Sequence, residues 1–156
     1  MTVVFIILGA IAFVVNRSTT FSFNFNTIET SIARDGANSA YSSLATATNT
    51  FKAQTQSCTA QSNPSGLKCL EQADSAWASA FQTYESALSV IVYPSSAQFE
   101  ADAAESAARQ ASATVTALAN SPDIQAYTTI SQSQGFQSAL NNVDTTYNDL
   151  NRALNG

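Results

Sequence analysis

The sequence predicts an all-α protein: an N-terminal hydrophobic helix, an extended linker and an up-and-down four-helix bundle. Three observations lead there. Four stretches beyond residue 26 repeat their apolar residues at steps of three and four, the spacing of one helix face. Capping residues and prolines punctuate those stretches at short intervals, and short connections favour antiparallel neighbours. Ahead of them lies an unbroken apolar run, and no strand pairing is read anywhere after it. The expected organisation is residues 1–15 as hydrophobic helix, 16–26 as extended linker and 27–156 as the helical-bundle domain.

The apolar run from Thr2 to Val15, TVVFIILGAIAFVV, contains fourteen uncharged residues. A secretory signal peptide has an apolar region of this length, and Ala10-Ile11-Ala12 resembles a cleavage site. Such peptides open with a basic stretch, however, and only Met1 precedes this run. A signal anchor is the second reading. As a helix the run is roughly 21 Å long at 1.5 Å per residue, against a bilayer core of about 30 Å. An anchor would also carry Lys or Arg on its cytoplasmic side, whereas the nearest base, Arg17, lies on the other side. The third reading is a mature chain from which a charged leader has been removed.

That third reading resembles the type IV pilin family. The resemblance rests on Met1-Thr2-Val3-Val4 and the aliphatic run behind it, about fifteen residues in all. It implies a hydrophobic N-terminal helix that serves first as membrane anchor and then as filament core. Position five holds Phe5 where bacterial pilins carry Glu, so the charge pairing used by the family in assembly has no counterpart there. The expected self-assembly and membrane residues are Val3, Val4, Phe5, Ile6, Ile7, Leu8, Gly9, Ala10, Ile11, Ala12, Phe13, Val14 and Val15. Gly9, Ala10 and Ala12 are small enough to let neighbouring helices approach, while the larger residues supply contact area.

After Val15 the pattern changes. Asn16-Arg17-Ser18-Thr19-Thr20 has poor helix propensity, and Asn16 opens a glycosylation sequon. Phe21, Phe23 and Phe25 then alternate with polar residues, the period of an extended segment, so their three rings are expected to pack on one side of the linker.

Within the bundle, Asn26 with Glu29 reads as a helix cap. Ile28, Ile32, Tyr41, Leu44, Thr48 and Phe51 mark the first helix face, with Gly36 as a weak point. The second stretch carries Leu67, Leu70, Trp77, Phe81, Tyr84, Leu88 and Ile91 and is expected to run to Tyr93-Pro94. Asp74 interrupts that seam, and an exposed place at its margin is expected. Ser95 with Gln98 reads as the cap of an alanine-rich third helix ending near Ala119. Ser121-Pro122-Asp123 starts the fourth, which carries Phe136, Leu140, Val143, Tyr147, Leu150 and Leu154 after a break at Gln134-Gly135.

Cys58 and Cys69 flank a turn built on Asn63-Pro64-Ser65-Gly66 and are expected to form a disulfide, which places the domain in an oxidising compartment. The chain has no His and no C-x-x-C, so the usual zinc and redox motifs lack ligands. No phosphate loop or nucleophile elbow appears, so no enzyme activity, cofactor or metal is expected. With 11% charged residues and a net charge of −5, nothing here displaces counterions from nucleic acid. Polar hydroxyls and amides cover the surface instead, as is common outside the cell.

The expected role is a structural subunit of an extracellular pilus-like filament, assembled through the N-terminal segment and membrane-anchored before assembly. Its partners would be other copies of itself and, earlier, the membrane. The alternative is a single-pass, membrane-anchored extracytoplasmic bundle acting as an accessory subunit.

Overall fold

A 35-residue helix, α1 (Phe25–Thr59), forms one long edge of the domain. The computed structural model describes residues 25–59, 61 and 64–156, with side chains from Ile28 onward. Four further helices follow: α2 (Ser65–Ser89), α3 (Gln98–Ala119), α4 (Ile124–Ser131) and α5 (Gln134–Ala153). The described residues contain no strand. The protein is all-α, a helical bundle closed by a disulfide.

Helix α2 is the centre of the bundle because it has two faces to bury. It packs on α1 and on α3, while α3 in turn packs on α5. The aromatic and aliphatic stripe Leu70, Trp77, Phe81, Tyr84 and Leu88 is buried, as periodicity predicts. Toward α1, Phe51 stacks on Trp77 with ring centroids 4.0 Å apart, and Tyr41 meets Tyr84 edge-on at 6.2 Å. These pairs, with Cys58–Cys69 beyond them, place rising positions on α1 against falling positions on α2, so the two helices are antiparallel. Toward α3, the small residues Ala101, Ala104, Ala108 and Ala111 are fully buried, and the Ser112 hydroxyl donates to the Ala78 carbonyl at 3.1 Å. A residue without a long side chain lets two helix backbones come close, which is what an alanine face supplies.

Helix α1 turns a different face inward at its start from the one its isoleucines suggest. Ala33 and Ala37 are buried, whereas Ile28 and Ile32 are exposed. The reason is the close approach of Ile91: a Cβ on Gly36 would lie 3.0 Å from Ile91 Cδ1. Gly36 is therefore a seat for a neighbour and not a weak point. Phe25 and Asn26 already lie within the helix, so Asn26 does not cap it, and both belong to a helix and not to the expected linker.

Other boundaries move for local reasons. α2 stops at Ser89, four residues before Tyr93-Pro94, although Ile91 still packs on the core. α3 starts from Ala97, which makes no side-chain cap; a turn from the Pro94 carbonyl to the Ala97 amide replaces the expected Ser95 cap. The fourth stretch is two helices. Asp123, not Ser121, caps α4, its carboxylate accepting from the Ala126 amide at 2.8 Å. Ser133 then caps α5 by accepting from the Phe136 amide at 3.1 Å. A new cap inside the stretch ends one helix and starts another, so the break precedes Gly135.

Candidate functional site

The two ends of the domain differ sharply. One end gathers the start of α1, the α2–α3 connection and the end of α5: Gly36 faces Ile91, and Arg34 Nη1 donates to Asn155 Oδ1 at 3.3 Å. Residues 1–24 join the domain here. Ile28, Ile32, Val90, Val92 and Phe99 all sit at this end, each between 46% and 80% exposed. They are five of the six large exposed apolar side chains among the described residues, the sixth being Ile124 at the opposite end. Exposed apolar residues scattered singly are ordinary; a collar of them at one end is not.

The opposite, distal end is tied shut on one side and loosely built on the other. Cys58 and Cys69 form a disulfide with a Cα–Cα distance of 5.3 Å, joining the end of α1 to the start of α2. Gly66 fits there because a Cβ would lie 3.0 Å from the Gln61 carbonyl oxygen. Across from it, α4 has no buried residue. Between these two sides lies a cleft of about 520 Å³, walled by Phe51, Trp77, Tyr127 and Phe136 together with Leu70, Leu118, Ile124 and Leu140. Hydroxyls and amides of Thr55, Thr128, Ser131 and Gln132 line the rest.

Asp74 lies behind this cleft and corrects the sequence expectation. It is 0% exposed, not at a solvated seam margin. It shares the α2 face with Leu70, one turn before, and Trp77, one turn after, so the helical register placed it inside. Among the described residues its one donor is the Tyr127 hydroxyl, which approaches the carboxylate without ideal hydrogen-bond geometry. Burial pushes its pKa up to about 6, and the nearby Tyr127 hydroxyl moderates the rise. The same burial, with the Asp74 charge, holds the Tyr127 phenol above its ordinary range. Periodicity alone was the signal for this buried acid; residue type argued against it.

Neither these residues nor the chain as a whole can be placed by likeness. The chain matches no protein-family model, no curated protein and no solved structure.

Of the residues singled out by sequence, Cys58 and Cys69 are brought together as expected. Such a bond points to an oxidising, extracytoplasmic environment. Val3 to Val15, Asn16, Phe21 and Phe23 lie outside the described residues, and Phe25 is described only as the first backbone position of α1. Among the described residues no helix is long and apolar enough to cross a membrane, and no three Asp, Glu or Cys side chains gather as a metal site.

Proposed function

We propose that this chain is a structural subunit of an extracellular pilus-like filament, non-catalytic, and assembled through residues 3–15. The supporting observation is the apolar collar at the end from which the N-terminal segment departs. On this reading that collar and the apolar run of fourteen residues act as one greasy surface with two ways to be covered. Before assembly lipid covers it, and after assembly the same surface meets other copies. On this reading the domain is an up-and-down four-helix bundle carrying a short extra helix, and the span from residue 16 to 24 is the extended joint between core and bundle. Tying α1 to α2 at the distal end suits a subunit that bears load. The chain works outside the cytoplasm.

The full chain, purified in detergent and observed by negative-stain electron microscopy as detergent is removed, tests the proposal. Filaments should form from the unaltered chain and fail to form with Ile7→Asp. A preparation that stays monomeric or merely inserts into vesicles would overturn the filament and leave the membrane-anchored accessory subunit.

A further inference from the structure

A second apolar face of α1 lies outside the core. Ile28 and Ile32, 46% and 67% exposed, stand in register with Gly36, Ala40, Ser43 and Ala47 at steps of four and three, so all six share one side of the helix. Beyond the two isoleucines this side forms one wall of a groove of about 460 Å³. The other wall is Ala80, Thr83 and Ala87 of α2 with Ile91 just past its end, and the buried Leu44 and Tyr84 close the groove from beneath. No residue of α3, α4 or α5 lines it. From Ile28 to Ala47 the face runs about 28 Å at the helical rise. It begins at the apolar collar, to which both isoleucines belong.

Charge, width and length together define the occupant. None of the lining residues is charged, so a charged peptide finds no ion pair in the groove. Walls of glycine and alanine leave room for the larger side chains of a docking helix, which enter such a groove at positions three and four apart. The chain itself carries a segment of that kind. From Thr2 to Val15 it bears no charge, and Phe5, Ile6 and Phe13 alternate there with small residues. As a helix, residues 3–15 cover about 20 Å, within the length of the exposed face. We propose that the α1–α2 groove, with Ile28 and Ile32 at its mouth, receives residues 3–15 of a second copy of this chain. The assignment rests on the filament reading above and names the surface that the N-terminal segment meets.

Run and groove are different surfaces of one chain, so each contact leaves a groove free on one copy and a run free on the other. Such a head-to-tail contact repeats, and where it does not close into a ring it grows as a filament. It also buries Ile28 and Ile32, which the single chain leaves in water.

Two altered chains test this by complementation. Ile7→Asp puts a charge in the run and leaves the groove intact. Ser43→Glu combined with Thr83→Glu puts charges at the rim of the groove and leaves the run intact. Both of those residues are exposed, so the fold should stand, as circular dichroism checks. Each full chain is freed of detergent alone and in an equal mixture, beside the unaltered chain, and followed by analytical ultracentrifugation and negative-stain microscopy. The unaltered chain should form filaments and each variant alone should stay monomeric. The mixture should form a one-to-one complex that grows no further, because only one run and one groove remain to meet. Filaments from the groove variant alone would overturn the groove and leave the filament reading standing, with runs meeting runs. A mixture that forms no complex equally refutes the groove, whether runs meet runs or lie in their own copies. If the unaltered chain forms no filament, the filament reading fails and this assignment falls with it. Should the doubly charged variant misfold, Ala87→Phe fills the groove in its place and must give the same complementation.

Discussion

Tyr41 on α1 and Tyr147 on α5 lie face to face, with ring centroids 3.7 Å apart and planes 3° from parallel. Each hydroxyl reaches across to the other helix: Tyr41 donates to Asp144 Oδ1 at 2.7 Å, and Tyr147 donates to Asn38 Oδ1 at 2.8 Å. The α1–α5 contact is much narrower than those of α1 with α2, α2 with α3 and α3 with α5, so this reciprocal clasp is its main connection. Replacing either ring with alanine should cost about 2 kcal/mol by urea denaturation. In the double variant the two losses should fall short of their sum by about 1 kcal/mol, the coupling expected of an aromatic pair. Strict additivity would show that the rings act separately.

Asp74 makes stability depend on pH with a definite sign. Its folded-state pKa is raised from the ordinary 3.8 to about 6 by burial, so the folded protein binds this proton more tightly than the unfolded chain does. The contribution is complete below about pH 4 and is lost as pH rises through 6. Two pKa units correspond to up to about 3 kcal/mol. The difference in unfolding free energy between the parent and Asp74→Asn, measured at pH 4 and pH 7.5, should move in favour of the variant at the higher pH. A difference independent of pH would refute the burial of an ionisable carboxyl.

Two helical glycines should respond to alanine in opposite directions. Around Gly135 nothing lies within 4 Å of an added Cβ, so Gly135→Ala should stabilise by about 0.5–1 kcal/mol through helix propensity. At Gly66 the added Cβ meets backbone oxygens of Gln61 and Cys58, at 3.0 and 3.2 Å. Those atoms are tethered by the disulfide loop and yield poorly, so Gly66→Ala should lower the melting temperature despite its better propensity.

Removing the disulfide with Cys58→Ser and Cys69→Ser should cost about 3 kcal/mol, the chain-entropy value for a loop of this length. The loss should concentrate at the distal end. Hydrogen exchange resolved along the chain should show faster exchange around residues 55–70, with the α2–α3 core little changed.

Asp123→Ala removes the side-chain acceptor for the Ala126 amide and should cost about 1 kcal/mol. Because α4 has no buried residue, the effect should appear as local exchange in residues 124–131 and not as global unfolding.

Much of this arrangement was legible in the chain itself. The seam of α2, the apolar face of α5 and the end of α3 at Ala119 follow from apolar residues at helical spacing, because burial rewards one continuous face whatever the partner. The cysteine pair was readable from a turn of Pro and Gly between two thiols. The start of α1 was misread, since Ile28 and Ile32 carry more apolar area than Ala33 and Ala37, yet the alanines face inward. Residue size says how much a side chain gains from burial; it does not say how near the neighbouring backbone will come.

By itself the sequence determined that the described residues are helical, where their principal apolar faces lie, and which two cysteines pair. Only the tertiary structure decided that Asp74 is enclosed, that a cleft opens beside it, and that the exposed apolar residues gather at one end. These are properties of several helices at once. Helical spacing is set by neighbours three and four positions apart, whereas enclosure and clefts depend on which distant residues the packing brings together.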